Sequence, residues 1–276
     1  MTNAFPFPFS LPRLGVIAAL VRRDYLVQRS YRLAFVLDLF YGIVNLLVFY
    51  FISQTFTDVA TADLSGAPSY FAFASIGIAI TIVLQAASGG LAHRIREEQL
   101  TGTLEALTAQ PITVPELSFG LAAFQFGFGM IRAAFYLLLT GLFFGVSFTQ
   151  ADWVGFVTVL IASGAALASI GVLLGALVLV MKRGEVLTGA ITFAMGLVSG
   201  AFFPIAVLPG WLQAIGSVVP TRFAYDGLRS AIFEGGGWGG DAVALIVFAV
   251  IGLPIGVWCF GRALLQSRRA GTISQY

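Results

Sequence analysis

The sequence predicts an all-α membrane protein, and three observations carry that prediction. Of the 276 residues, 58% are hydrophobic and 10% charged, with a mean hydropathy of +0.93; so few charged groups cannot cover the surface of a water-soluble globule of this size. Six apolar stretches reach the roughly 20 residues that a helix needs to cross the hydrocarbon core. Barrel strands would alternate polar and apolar residues over about ten positions, whereas Ile76 to Leu84 and Ile170 to Val180 are apolar all round.

Taken in order, residues 1–32 form a cytoplasmic or interfacial segment, 33–262 the six-span domain and 263–276 a cytoplasmic tail. The opening Phe-Pro repeat, Phe5 to Phe9, lacks the basic start of a cleavable signal and leads into an arginine-rich stretch, so the first span is read as an anchor. Between Arg13 and Arg32 an interfacial helix would set its arginines against anionic headgroups. Leu14, Ile17, Leu20 and Val21 cluster on its wheel, although Arg23 and Asp24 intrude on that arc. The spans run about Leu33 to Ser53, Tyr70 to Leu91, Leu117 to Phe148, Trp153 to Met181, Val186 to Leu208 and Ala242 to Phe260. The third and fourth exceed a simple crossing, so tilt, interfacial ends or a break must absorb the excess. Pro204 and Pro209 break the chain at the end of the fifth span and free backbone groups that only a re-entrant turn buried in protein can satisfy. Pro254 predicts a kink in the sixth. Small-xxx-small pairs at Gly141/Gly145, Gly171/Gly175, Gly196/Gly200 and Gly252/Gly256 exceed only slightly what 32 glycines supply by chance, and support close helix packing weakly.

Orientation follows from the basic residues near the span ends. Arg13, Arg22, Arg23, Arg29, Arg32, Arg94, Arg96, Lys182, Arg183, Arg262, Arg268 and Arg269 all fall on one side. The opposite connections hold Asp58, Asp63 and Asp152, with only Arg222 and Arg229 as basic residues. Arg132 is left inside the membrane. Both termini are therefore expected in the cytoplasm, as six crossings require.

Several chemistries are excluded at once. The sole lysine, Lys182, precedes Arg183, whereas a nucleotide-binding P-loop needs lysine followed by Ser or Thr. One histidine, His93, and one cysteine, Cys259, give no metal cluster and no disulfide, and they lie in opposite halves of the chain. No cofactor is expected on this chain.

The connection after the second span, residues 93–115, is the most informative soluble segment. Arg94, Arg96, Glu97, Glu98 and Glu105 alternate with Ile95, Leu100, Leu104 and Leu107, the last three at helical spacing on one face. This predicts a short amphipathic helix stopped by Pro111. The pattern alone fits either a helix capping the bundle or a docking helix for a partner protein.

Glu98, then Gly102-Thr103-Leu104-Glu105, then Pro111 and Glu116 resemble the first cytoplasmic loop of type-2 permeases of ATP-binding-cassette exporters. A second match precedes the last span: Ser199-Gly200-Ala201-Phe202-Phe203-Pro204, Leu208-Pro209-Gly210-Trp211, Pro220-Thr221 and Asp226-Gly227-Leu228-Arg229. The resemblance implies half of a transmembrane pore in the plasma (inner) membrane, paired with a second copy or close paralogue. Two separate ATPase subunits, carrying ATP and Mg, would drive it; no nucleic acid is involved. Glu97, Glu98, Leu100, Gly102, Thr103, Leu104, Glu105 and Leu107 would form the coupling helix. Lys182 and Arg183, beside Glu185, would be a second contact, or a plain positive-inside anchor. The hairpin at 200–241 would form re-entrant extracellular helices, with Phe202, Phe203, Pro204, Pro209, Pro220 and Arg229 as an outer gate. The cargo would be amphipathic or hydrophobic: a drug, a lipid or a lipid-linked glycan.

Polar stripes appear on three spans. Asp38, Tyr41, Asn45 and Phe49 share a face of the first, Gly77, Thr81, Gln85 and Ser88 of the second, and Thr188, Thr192, Met195 and Ser199 of the fifth. Such groups either glue helices together or line a substrate pathway, and Asp38, Asn45 and Gln85, costly in lipid, favour the pathway. Arg132 has Phe124, Phe128 and Phe135 on its face. Depth argues against an ion pair with Asp38: at 1.5 Å per residue, Asp38 lies about 8 Å into its span and Arg132 roughly 20 Å. Two roles stay open for Arg132, a structural bond or an anion contact for a substrate. An ion-coupled secondary transporter or channel is the competing class, although it needs ionisable groups at midplane depth and only Asp38 and Arg132 are on offer. An intramembrane enzyme lacks a visible nucleophile or metal set.

Overall fold

A computed structural model describes residues 12–55, 64, 66–181 and 184–269, apart from the side chains at 34, 35 and 185. The helices are α1 (Leu14–Ser30), α2 (Arg32–Thr55), α3 (Tyr70–Leu84), α4 (Gly90–Leu100), α5 (Thr103–Ala109), α6 (Val114–Phe144), α7 (Trp153–Val180), α8 (Gly184–Val198), α9 (Gly210–Gly216), α10 (Pro220–Arg229) and α11 (Gly239–Arg269). No strand occurs among the described residues. Five segments are long and apolar enough to cross a membrane: Val36–Thr55, Tyr70–Leu100, Val114–Phe144, Trp153–Val180 and Gly239–Arg269, with Val186–Val198 a shorter apolar helix.

Three boundaries differ most from the sequence expectation, the simplest being that α11 runs on to Arg269 rather than ending near Phe260. The second span does not stop near Leu91: a π-helical turn, Gln85–Gly89, joins α3 to α4, and the helix continues to Leu100. The amphipathic segment around 94–107 is therefore two elements, the end of this long helix and α5. The fifth helix ends at Val198 rather than Leu208, because Gly200 takes a left-handed φ of 80°, and the chain then runs irregularly through Pro204 to a 3-10 turn at Ile205–Val207.

The Tyr70–Leu100 helix is the axis of the bundle. Its most apolar window is 78% buried, against 11% for that of α2, so α2 is an outer helix while Tyr70–Leu100 is wrapped by α6, α7 and α10. Two cores lie along it. Ile76, Leu84, Tyr136, Tyr225 and Leu245 belong to one; Leu91, Ile95, Leu104, Leu117 and Phe260 belong to the other. We call the end that carries α5 and both described chain ends the base, and the end that carries α9 and α10 the crown.

Glycine sets the helix spacing. A Cβ at Gly77 would overlap the Ala201 carbonyl, and one at Gly171 would overlap the Ala87 carbonyl. Gly252 and Gly256 meet Ser169, so α11 and α7 close on each other through the predicted small-residue pair. Through Pro254, α11 runs as one helix.

Side chains cap the starts of α6 and α7. Thr113 and Glu116 form a capping box on α6. Asp152 accepts from the Val154 and Gly155 amides at the start of α7, 3.0 Å each, and from the Trp238 indole at 2.8 Å. The Gly155 amide, then the Trp238 indole, hold its carboxyl below the usual carboxylate range.

Because backbone rather than a flexible side chain fills the space, Gly171→Ala and Gly77→Ala should each destabilise the protein by about 3 kcal/mol. Gly127→Ala, with nothing within 4 Å, should cost nothing. Thermal melting of detergent-solubilised protein followed by size-exclusion chromatography checks this; equal melting of all three would overturn the close-packing assignment.

Candidate functional site

At the base, Thr101 and Gly102 end the long helix, and Gly102, at φ 73°, turns the chain so that α5 leaves at a new angle. Leu104 is buried and Leu107 packs on the same core, which fixes α5 against the bundle. Leu100 is 56% exposed, and Thr103, Glu105, Ala106 and Ala109 also face outward. The predicted single apolar face of Leu100, Leu104 and Leu107 is thus split by the turn. The last turns of α11 hold the corner from below: Arg268 donates to the Thr108 carbonyl, and Ser267 donates to the Leu179 carbonyl at 2.7 Å.

An ionic cluster ties this corner to α1. Arg94 Nη2 lies 2.7 Å from Asp24 Oδ1 and 3.2 Å from Glu98 Oε1. Arg23 Nη2 lies 2.9 Å from Asp24 and 2.8 Å from Glu98. Glu97 pairs with Arg94, and the Thr103 hydroxyl donates to Glu98. Asp24, Arg94 and Glu98 are all buried. Glu98 therefore turns inward as a clasp, while Glu105 and half-exposed Glu97 face outward. Asp24, which looked like an intruder on the apolar arc of α1, is the counter-ion of Arg94. A second clasp joins Arg13 to fully buried Glu116: the Arg13 side chain and backbone amide both reach Oε1 at 2.8 Å, and Nη2 donates to the Pro111 carbonyl at 2.6 Å. Lys182 and Arg183, like Asp58 and Asp63, lie outside the described residues.

At the crown, Arg229 is 1% exposed. Its guanidinium lies over the Phe73 ring at 3.5 Å and donates to the carbonyls of Gly200 at 2.9 Å, Ala201 at 3.3 Å and Phe73 at 3.3 Å. Sequence reading counted Arg229 as a basic residue of an outer loop and missed that it is a core group. Ser199 bonds Thr221, and Tyr70 donates to the Phe202 carbonyl at 2.9 Å. Phe202 stacks on Phe49 of α2 at 5.2 Å between ring centroids. Phe203 and Pro204 are half-buried, Pro209 is exposed and Pro220 is buried at the start of α10.

Between these ends, Arg132 of α6 forms an ion pair with Asp38 of α2. This corrects the depth argument. The comparison assumed that both helices start at one level, but α6 begins beside Arg13 and α1 climbs along it, so that Tyr31 ends level with Phe124 and Gln125. The start of α2 is thereby raised by about 16 Å along α6. Tyr136 reinforces the pair, donating to the Leu39 carbonyl at 3.0 Å across Gly42, and Arg132 lies 5.7 Å from the Phe128 ring centroid.

The stripes divide by partner. Ser88 bonds Thr192 at 3.1 Å, Thr188 donates to the Gly184 carbonyl, and Thr81 meets the Tyr225 hydroxyl at 3.0 Å. Tyr41 and Gln85 are exposed, and Asn45, Phe49 and Met195 are half-buried. Hydroxyls of α8 therefore serve helix packing, whereas α2 and the π turn present amide, phenol and carboxylate outward.

A helical bundle with five membrane-length helices and clasps at both ends is a polytopic membrane domain. The family of ABC-2 type transporter membrane domains matches residues 16–233, and the chain belongs to it. It is a membrane subunit of an ABC transporter. No curated protein shows a significant match to the chain.

Two outcomes follow from this geometry. Arg229→Lys should destabilise the protein nearly as much as Arg229→Ala, by about 3 kcal/mol, because an ammonium cannot both stack on Phe73 and serve three carbonyls; thermal melting reads the difference, and full rescue by lysine would refute the assignment. For Asp38→Ala and Arg132→Ala, the double variant should be more stable than the summed single losses predict by about 1 kcal/mol. Strict additivity in the melting cycle would show that the pair is not coupled.

Proposed function

We propose that the chain is the permease half of an ATP-driven exporter that moves an amphipathic or hydrophobic molecule out of the cell by alternating access. In this reading the base is cytoplasmic, the crown extracellular, and α8 with the hairpin completes a sixth, short crossing. Two copies, or one copy and a paralogue, frame the pathway, and two ATPase chains bind ATP and Mg below. The observation that carries the reading is the corner at Gly102. An outward face of Leu100, Thr103, Glu105 and Ala106 is attached, through the Glu98 and Arg94 cluster, to one continuous helix that reaches the crown at Phe73. Force applied to α5 therefore has a continuous helical route, through the π turn, to the Arg229 hairpin.

For the pathway wall, Asp38, Tyr41, Asn45 and Phe49 of α2 and Gln85 of the π turn are the groups we favour. Thr81, Ser88, Thr188, Thr192, Met195 and Ser199 would act behind them by setting where α8 stands. Arg132 would act through Asp38. Phe202 and Phe203, with Pro204, Pro209 and Pro220 shaping the turn, would form the outer gate that Arg229 holds in place.

The test is co-expression of the tagged chain with the ATPase of the neighbouring reading frame, followed by ATP-dependent export from vesicles. The ATPase should co-purify. Glu105→Arg should lower ATP-driven export roughly tenfold, as reversal of a docking charge does, with the melting temperature unchanged. Export that persists without any ATPase, or that ignores Glu105→Arg, would reject the coupling assignment.

A further inference from the structure

Between α1, α4 and α6 lies a cleft of about 290 Å³ that shares Asp24, Arg94 and Glu97 with the ionic cluster of the corner but takes none of its lining from α5. Its charges do not balance. Asp24 and Glu97 face it with Arg94 as the only guanidinium of the lining, and Arg94 is already committed to Asp24, Glu97 and Glu98. Counting the neighbouring Arg23 and Glu98, three carboxylates meet two guanidinium groups. Further, Asp24 is 4% exposed, yet its Oδ2 atom accepts no hydrogen bond. A buried carboxylate oxygen without a donor is costly; Arg23 Nη2 and Arg94 Nε of the same cluster likewise make no hydrogen bond, so the cluster is not closed on itself, and its surplus carboxylate favours a cationic donor.

The rest of the lining says what carries that N–H. Exposed Val27 of α1, Tyr31 just beyond its end and half-buried Phe124 of α6 add an apolar and aromatic wall. Aromatic faces attract ammonium groups, and the apolar side chain of Val27 suits an attached hydrocarbon. Gln28 and Gln125 contribute no charge. The cleft also lies level with the start of α2, where the chain enters its first apolar helix.

We infer that this cleft binds the primary ammonium group of an amphiphile, with Asp24 and Glu97 as acceptors and Tyr31 and Phe124 against the attached chain. The occupant is either the amine headgroup of a membrane lipid or a free amphiphilic amine. The inference rests on the cleft alone and is tested by binding to the permease without any ATPase, so its failure leaves the transport reading standing.

The probe is a decylamine carrying a photoreactive diazirine, compared with its N-trimethyl analogue and with the corresponding alcohol. Purified full-length protein in phosphatidylglycerol nanodiscs is irradiated and the labelled peptides are mapped by mass spectrometry. The amine should label peptides containing Tyr31 and Phe124. The trimethyl analogue, with no N–H to give, should label them more weakly, and the alcohol should label lipid-facing helices without preference. Since Asp24→Asn also removes a buried ion pair and can unfold the corner, Glu97→Gln, at a half-exposed site, is the decisive variant. It should raise the half-saturating amine concentration roughly fivefold, as should Tyr31→Ala. Adding phosphatidylethanolamine to the nanodiscs separates the two sources: competition identifies the lipid amine, and undiminished labelling identifies a free amine. Equal labelling of the cleft by amine and alcohol, or an unchanged response of Glu97→Gln and Tyr31→Ala, would overturn the site.

Discussion

The structure depends on how one buried cation, Arg229, answers for the backbone freed where α8 breaks. In an apolar environment each unpaired carbonyl costs several kcal/mol, and the turn after Val198 exposes two in succession, at Gly200 and Ala201. Arg229 donates to both, and to the Phe73 carbonyl as well. The Ala201 carbonyl can come so close to α3 only because residue 77 is glycine. One guanidinium thereby joins α3, α8 and α10, and the planar fork suits the task because its donors are fixed relative to the ring stacked on Phe73. Remove that junction and the carbonyls of Gly200 and Ala201 lose the donor that ties the break of α8 to the crown end of the long helix.

The base repeats the logic with ion pairs instead of carbonyls. Arg94, near the opposite end of the same helix, gathers Asp24 of α1 and Glu98, and Thr103 carries the connection into α5. A cation at each end holds the Tyr70–Leu100 helix, one sensing the hairpin and the other the corner. A buried pair adds little net stability over apolar packing but is expensive to break from one side. Such a cluster therefore suits a joint that must move as a unit and must not loosen.

Much of this was legible in the sequence, and the rest was hidden for identifiable reasons. Hydropathy located the five long helices to within a few residues at most ends, and the Gly252/Gly256 pair lies where α11 meets α7. What hydropathy could not show was that the helix continues past its apolar stretch: Leu91 to Leu100 turns polar, yet the backbone carries on because no proline or left-handed glycine occurs before Gly102. The roles of Asp24 and Arg229 depend on partners 70 and 28 or more residues away, and no local pattern encodes a partner at that distance. Depth along a helix was misread for Arg132 because the level at which α2 begins is set by α1 packing along α6, which is a tertiary fact.

The polar stripes show why a helical wheel separates glue from function poorly. At 100° per residue Gln85 and Ser88 share a face, but the π turn at Gln85–Gly89 advances the chain by less than that per residue, and the two diverge. Ser88 faces inward to Thr192, while Gln85 is exposed. π turns cost hydrogen-bond geometry and recur where a helix must present a side chain it would otherwise bury. Here the turn sits between the two cores, at the one place on the axis where a polar amide faces out. A helix held at both ends by arginines and locally unwound between them has its most yielding point there. Displacement of the corner would therefore alter first the direction in which Gln85 points, before it disturbs the junction at Arg229.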